Sequence, residues 1–464
     1  LRLNGPITLA SVAGSEPRAV QVQARLSGQQ AANARGPREV AVEFSGAFSA
    51  RRSEVQSFLA RAGTGQLQLK GELDHAPGQA QRLALEAGWQ DVDPQAWWPG
   101  LGFAAAPSGH RLQGQASARV ALPPRLPRES ALAWSSRWQG QARLGIDDSL
   151  AAGQPLRGEA RWRGREGAVP PTTEGVLELA GNRLGWRGDL PVANSRSTEP
   201  SLSLELEAAQ LERLAPVLRV FGIETPIEGR LQGEGRIEWA DAASGLPRLL
   251  RGRLDGERLR WGDWRLGAVQ GQWTLSPWAD AAQDLSLDLR GLQLRERRID
   301  TTSVRLDGSM QSHRLKVEGR SAVVLPWAAP ATGSPAPAQT AARAVQLLLE
   351  LDGRAEGTRA ESAPPRRWTG WQAQLRQFVL GPAAPGQEAW VQLADVPLRW
   401  ERGEGALQRL SMGAGQARLR AGRRRPWGQV PSIDAARAAG ERSPAPTATH
   451  RRDEHFLDQP ILHS

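Results

Sequence analysis

The chain lacks cysteine, which excludes a disulfide framework and any thiolate metal site. A cysteine-free composition is compatible with an oxidising compartment such as the periplasm or the cell surface. Tyrosine is also absent, and lysine occurs only as Lys70 and Lys316, so 57 of the 59 basic residues are arginine. The net charge of +10 is typical of a protein that meets a polyanion. Because the arginines are spread evenly along the chain, a GC-rich genome, which favours arginine codons over lysine codons, is the favoured explanation of the basic composition.

A long hydrophobic run is missing too, because no stretch of about 18 apolar residues occurs. The sequence therefore predicts no transmembrane helix within these residues, and no signal peptide is visible. The chain begins at Leu1 and enters strand-like sequence directly. We interpret it as a fragment of a membrane-associated protein whose N-terminal anchor is missing.

Known catalytic motifs are also absent from the sequence. Neither Lys70 nor Lys316 completes the Gly-Lys-Ser/Thr of a phosphate-binding loop, and no dinucleotide fingerprint or Gly-x-Ser-x-Gly elbow occurs. His75, His110 and His313 lie far apart, without the spacing of a metal site. We therefore expect no enzyme, no cofactor and no metal.

The dominant positive signal is an alternation of apolar and polar residues. In residues 201–208 each leucine is followed by serine or glutamate. Successive side chains of a strand point to opposite faces, so each such segment has one apolar and one wet face. The apolar residues that we expect to line a lipid-binding groove are Val40, Val42, Phe44, Leu83, Leu85, Leu202, Leu204, Leu206, Leu285, Leu287, Leu289, Val345, Leu347, Leu349 and Leu351.

This pattern predicts an all-β protein: a long, repetitive, mostly antiparallel curved sheet that forms an elongated open groove, with a few short helices. We expect the groove region to span residues 1–420, with a flexible loop at 326–341. Residues 421–464 lose the alternation, which indicates a disordered or frameshifted tail. The pairs Gly181-Asn182, Asp255-Gly256, Asp307-Gly308 and Asp352-Gly353 predict tight hairpin turns.

An internal repeat relates residues near 90–120 to residues near 208–238. In each unit a strand is followed by a short helical segment and then by Arg-Leu-Gln-Gly, at 111–114 and at 230–233. Pro216 predicts that the second helical segment splits into two short turns. The matching offsets favour a duplicated β unit.

Several segments resemble the TamB family of AsmA-like envelope proteins. Residues 87–100 and 206–216 are similar to its recurring strand-to-short-helix element. Residues 368–375 and 390–398 resemble a Trp-Gly strand followed by a strand that ends in a proline corner.

This resemblance implies a periplasmic protein anchored in the inner membrane. It also implies phospholipid movement to the outer membrane or assembly of outer-membrane proteins such as autotransporters, with a barrel partner such as TamA. The chain departs from the family in lacking the anchor helix and in its irregular last 40 or so residues.

The residues alone leave alternatives open. An apolar furrow of roughly 20 strands, about 4.8 Å apart, would be on the order of 100 Å long and could hold acyl chains. A second hypothesis is that the chain is a surface solenoid of the adhesin type. Binding of single-stranded nucleic acid is a third, because arginine and tryptophan interleave at 161–163 and 258–265. We expect phospholipid rather than nucleic acid as the partner.

Overall fold

The structure is a computed structural model. It describes residues 2–12, 19–33, 36–97, 109–126, 131–167, 169–192, 200–239, 247–278, 281–295, 297–323, 343–357, 368–383, 387–402, 408–412, 415–419 and 428–430. The predicted loop at 326–341 lies outside these residues. Of the tail at 421–464, only 428–430 is described, and it forms a short strand.

The described residues form a single antiparallel sheet of 25 strands. From β3 to β22 each strand pairs with the next one along the chain, so the topology is a continuous meander. The sheet is curved and does not close, which confirms the predicted fold class. The strands are β1 Arg2–Asn4, β2 Ile7–Ser11, β3 Val20–Asn33, β4 Gly36–Phe48, β5 Arg52–Ala62, β6 Gly65–Asp74, β7 Gln81–Val92, β8 Leu112–Leu122, β9 Gln139–Ala151, β10 Gln154–Arg163, β11 Thr172–Leu179, β12 Asn182–Asp189, β13 Ser201–Ala208, β14 Ile227–Trp239, β15 Pro247–Trp261, β16 Trp264–Leu275, β17 Ala282–Leu294, β18 Arg297–Ser309, β19 Ser312–Val323, β20 Arg343–Gly357, β21 Trp368–Pro382, β22 Val391–Arg402, β23 Gln408–Met412, β24 Gly415–Leu419 and β25 Gly428–Val430.

Short helices interrupt the meander. Helix α1 spans Pro94–Trp97 and α2 spans Ala131–Ser135. A 3₁₀ turn at Leu211–Leu214 runs into α3, Ala215–Val220, as Pro216 predicted. Helix α1 precedes β8, whereas the 3₁₀ turn and α3 precede β14. The helical segments of the two repeat units therefore occupy equivalent places in the meander.

Helix α2 is an element that the sequence pattern did not predict. Its Trp134 packs edge-on against Trp138, with 5.0 Å between the ring centroids. The Trp134 indole N–H also donates to the Pro123 carbonyl at 2.8 Å. These contacts join the two ends of the connection between β8 and β9, and Trp138 in turn meets Trp162 of β10 edge-on.

Three of the four predicted hairpin turns are wrong. Only Gly181-Asn182 lies at a strand junction, between β11 and β12, whereas the three Asp-Gly pairs lie within β15, β18 and β20. A methyl group on Gly256 would lie 2.8 Å from Val269 Cγ1, and one on Gly353 would lie 2.9 Å from the Trp371 indole nitrogen. At these two positions glycine makes room for a neighbouring side chain inside a strand.

Tryptophans on the sheet lie flat over glycines of the adjacent strand. Trp186 covers Gly175 and Trp273 covers Gly252, so that a methyl group on either glycine would overlap the indole ring. Such aromatic cover compensates for the packing that a strand glycine lacks. It also keeps the large indoles low on the sheet surface.

Gly252 and Gly235 provide a matched pair for testing this packing, because they are direct cross-strand partners. A methyl group on Gly252 would clash with Trp273, whereas one on Gly235 would meet its nearest heavy atom, the Arg251 carbonyl oxygen, at 3.7 Å. We expect Gly252→Ala to lower the free energy of unfolding by about 1–3 kcal/mol through overpacking. We expect Gly235→Ala to be neutral or slightly stabilising. Equal urea unfolding curves for the two variants would contradict the assigned packing.

Candidate functional site

A continuous apolar row runs across the sheet. Cross-strand register joins one residue from every strand between β2 and β22, and none of them is polar or charged. With strands about 4.8 Å apart, the row is about 95 Å long. We call it the central row; its members are Ile7, Ala24, Phe44, Phe58, Leu69, Ala87, Ala116, Leu144, Ala160, Gly175, Trp186, Leu204, Gly235, Gly252, Trp273, Leu285, Leu306, Leu315, Leu351, Leu375 and Val396.

A second apolar row lies beside the first from β3 to β22. Its residues are two positions away from the central row on most strands, so they project from the same face. We call the two rows together the apolar stripe. The members of the second row are Leu26, Val42, Ala60, Leu67, Trp89, Gly114, Ile146, Gly158, Leu177, Leu184, Leu206, Gly233, Leu254, Gly271, Leu287, Val304, Val317, Leu349, Phe378 and Leu393.

The register places all fifteen predicted groove residues on this face. The central row contains Phe44, Leu204, Leu285 and Leu351, and the second row contains Val42, Leu206, Leu287 and Leu349. The others lie at even spacing from the stripe on the same strands: Val40, Leu83, Leu85, Leu202, Leu289, Val345 and Leu347.

The alternation of apolar and polar residues does not identify the small members of the stripe, such as Ala116, Ala160 and Gly175. Alanine and glycine carry little hydrophobic signal, and they join the stripe only through their partners on neighbouring strands. Strand alternation identifies a face within one strand, whereas the continuity of the stripe depends on register.

The stripe is accessible over its first half and middle. Leu144 is 41% exposed and Leu184 is 39% exposed, and Ile7 at the first edge is also exposed. Large apolar side chains with this much exposure on one continuous face are unusual for a protein surface that meets only water. This part of the stripe can therefore receive an apolar guest.

The C-terminal end of the stripe differs, because the protein packs against itself there. Leu351, Ala373, Leu375 and Val396 form a buried cluster, and Leu349 packs against it. The groove that the sequence predicts to be open is thus closed by its own side chains between β20 and β22.

Burial elsewhere on the sheet follows the same face. Ala60, Val120 and Val269 are buried and lie on the side of the stripe, whereas the intervening charged residues are exposed or half-buried. The face of the apolar stripe is therefore the less exposed face of the sheet.

The opposite face carries ladders of paired charges. Lys70 contacts Glu86 at 2.8 Å, and this hydrogen bond lowers the pKa of the Glu86 carboxyl. Asp352 accepts from Arg376 at 2.8 Å and from Arg314 at 3.1 Å, and these bonds lower the pKa of its carboxyl. Surface pairs of this kind add little stability, but they compensate charge locally.

The structure separates arginine from tryptophan in the segment 161–163. Trp162 lies on the face of the stripe and meets Trp138 edge-on, with centroids 6.2 Å apart. Arg161 lies on the other face, where it contacts Glu159 at 3.3 Å and Glu174 at 3.8 Å. The two side chains therefore cannot stack a base and bind its phosphate at one site.

Within the described residues, no group of three or more histidine, cysteine, aspartate or glutamate side chains is placed to hold a metal ion. Among the same residues, no helix is long and apolar enough to cross a membrane.

No protein-family model, curated protein or solved structure matches the chain.

Proposed function

We propose that the chain shields the acyl chains of phospholipids along the apolar stripe as they move between the inner and outer membranes. The observation that carries this proposal is the unbroken central row, about 95 Å long, of which the part from β2 to β19, about 80 Å, lies outside the buried cluster. A lipid could keep its headgroup in water at the rim of the groove while its chains lie on the stripe.

The energetics of such binding require no specific side chain. Transfer of a methylene group from water to an apolar surface is favourable by about 0.8 kcal/mol when it is fully buried. A long uniform stripe offers many near-equivalent positions, so a guest can move along it without crossing a strongly bound state. This also explains how the function can leave no catalytic motif in the sequence.

The cellular setting that we propose is that of TamB-like proteins: a periplasmic scaffold anchored in the inner membrane, with an outer-membrane barrel such as TamA as partner. The support is the resemblance of residues 87–100 and 206–216 to that family, together with the elongated groove. Assistance to outer-membrane protein assembly belongs to the same proposal, because an open groove could also hold an apolar strand of a client.

Mass spectrometry of lipids that co-purify with the detergent-extracted protein tests this function. We expect phospholipid to be recovered well above the amount that accompanies a control protein of similar size. Recovery equal to the control would remove the conduit proposal. Strong retention of single-stranded DNA that weakens steeply between about 50 and 200 mM salt would favour polyanion binding instead.

A further inference from the structure

Exposed aromatic and aliphatic side chains gather at one rim of the sheet, outside the apolar stripe. Phe221 is 70% exposed, Trp261 is 53% exposed and Trp264 is 48% exposed, and Ile223 is also exposed. We call these four residues the rim patch. They lie in the connection before β14 and at the tip of the β15–β16 hairpin.

The fold holds the two parts of the rim patch together. Trp261 and Trp264 are cross-strand partners, and Ile227 pairs with Trp261 from the other side. The Gly262 N–H donates to the Pro226 carbonyl at 2.9 Å, which ties the hairpin tip to the end of the preceding connection. The hairpin tip is therefore fixed against the end of the connection that carries Phe221 and Ile223.

Arginines at this rim outnumber its carboxylates, among which Glu224 lies beside Ile223 and Glu257 lies beside Arg258. Asp263 pairs with Arg295 at 3.2 Å and Glu228 pairs with Arg260 at 2.9 Å. A further group of exposed arginines at the same rim has no carboxylate oxygen within 4.0 Å among the described residues. This group consists of Arg258, Arg265 and Arg297.

We propose that the rim patch docks onto the surface of a bilayer that contains anionic phospholipids. Tryptophan has an apolar body and a polar N–H, so it is stable at the level of the lipid headgroups. Arginine beside it can bind lipid phosphates through paired hydrogen bonds, and the attraction to an anionic surface adds to the apolar contribution. The combination of protruding indoles and unpaired guanidinium groups favours a headgroup layer over an uncharged apolar partner.

Docking would place one rim of the groove against the membrane, where lipids could enter or leave. The proposal itself rests on the rim patch alone and does not require the apolar stripe to carry lipid. A failure of one proposal can therefore be told apart from a failure of the other.

Flotation with lipid vesicles tests the docking. The full chain is mixed with vesicles of phosphatidylcholine alone or of phosphatidylcholine with phosphatidylglycerol, at low and at physiological salt. We expect binding to the anionic vesicles that weakens as salt rises. The double variant Trp261→Ser/Trp264→Ser is expected to bind at least about tenfold more weakly, because two indoles no longer enter the headgroup layer.

Matched variants separate docking from folding. Val169→Ser removes an exposed apolar side chain at the opposite rim and should leave vesicle binding unchanged. Trp261→Phe/Trp264→Phe should retain most of the binding, and the thermal unfolding curve of the serine variant should match that of the unchanged chain. Absence of binding to anionic vesicles at low salt, or equal loss in the Val169→Ser variant, would overturn the proposal. Lipid that co-purifies in the groove should be unaffected by the tryptophan changes.

Discussion

Replacing Leu204 by Asp is expected to reduce photo-crosslinking of phospholipid to β12–β15 by at least about tenfold. Leu204 lies in the central row between Trp186 and Gly235. An acyl chain on this part of the stripe would have to strip water from the new carboxylate, which costs several kcal/mol. A loss of about 1.4 kcal/mol already weakens binding tenfold. The readout is a photoreactive phospholipid whose crosslinks are mapped by mass spectrometry.

The neighbouring Glu205 supplies the control, because it projects from the opposite face of the same strand. Glu205→Ala should leave the crosslinking of β12–β15 unchanged. Leu184→Asp is a second variant in which the side chain is already 39% exposed, so folding should tolerate it better while the guest still meets a charge. Similar losses for Leu204→Asp and Glu205→Ala would contradict the assignment of the two faces.

Truncation of Leu375 to alanine is expected to produce the largest loss of local stability. Leu375 is 4% exposed and packs with Leu351 and Val396 in the cluster that closes the end of the groove. Removal of a buried leucine side chain costs about 2–5 kcal/mol, depending on how far the cavity collapses. We expect the free energy of local opening of β20–β22 to fall by this amount, as measured by native-state hydrogen exchange.

Leu144→Ala is the matched substitution on an accessible part of the same row. Leu144 is 41% exposed, so we expect a loss of only about 1 kcal/mol, confined to β8–β10. Equal losses for the two leucines would indicate that the stripe is uniformly packed and would contradict the open middle. A loss that spreads across the whole sheet would contradict the local character of the cluster.

The alternation of residue types was sufficient to predict the sheet and its faces. In β13 the leucines at 202–206 are half-buried while Ser203, Glu205 and Glu207 are exposed, as period two requires. Leu348 interrupts the alternation of residues 345–351, and it pairs with Val379 on the opposite face. The face on which a side chain lies is set within a single strand, so the alternation of residue types in that strand is enough to predict it.

Features that depend on contacts between strands could not be predicted in this way. Asp255-Gly256 and Asp352-Gly353 carry the residue types of a turn, but their glycines are needed beneath Val269 and Trp371. The closed end of the groove depends on the packing of side chains from β20, β21 and β22 against one another. The rim patch depends on the register that places the connection before β14 beside the tip of the β15–β16 hairpin.

The purely sequential pairing of the strands has a consequence for how such a molecule can change in evolution. Because each strand from β4 to β21 meets only its two chain neighbours, a whole hairpin could be gained or lost without disturbing the register elsewhere. Each hairpin would change the end-to-end distance by about 9–10 Å. The length of the sheet can therefore change in steps of one hairpin while the rest of the strand pairing is kept.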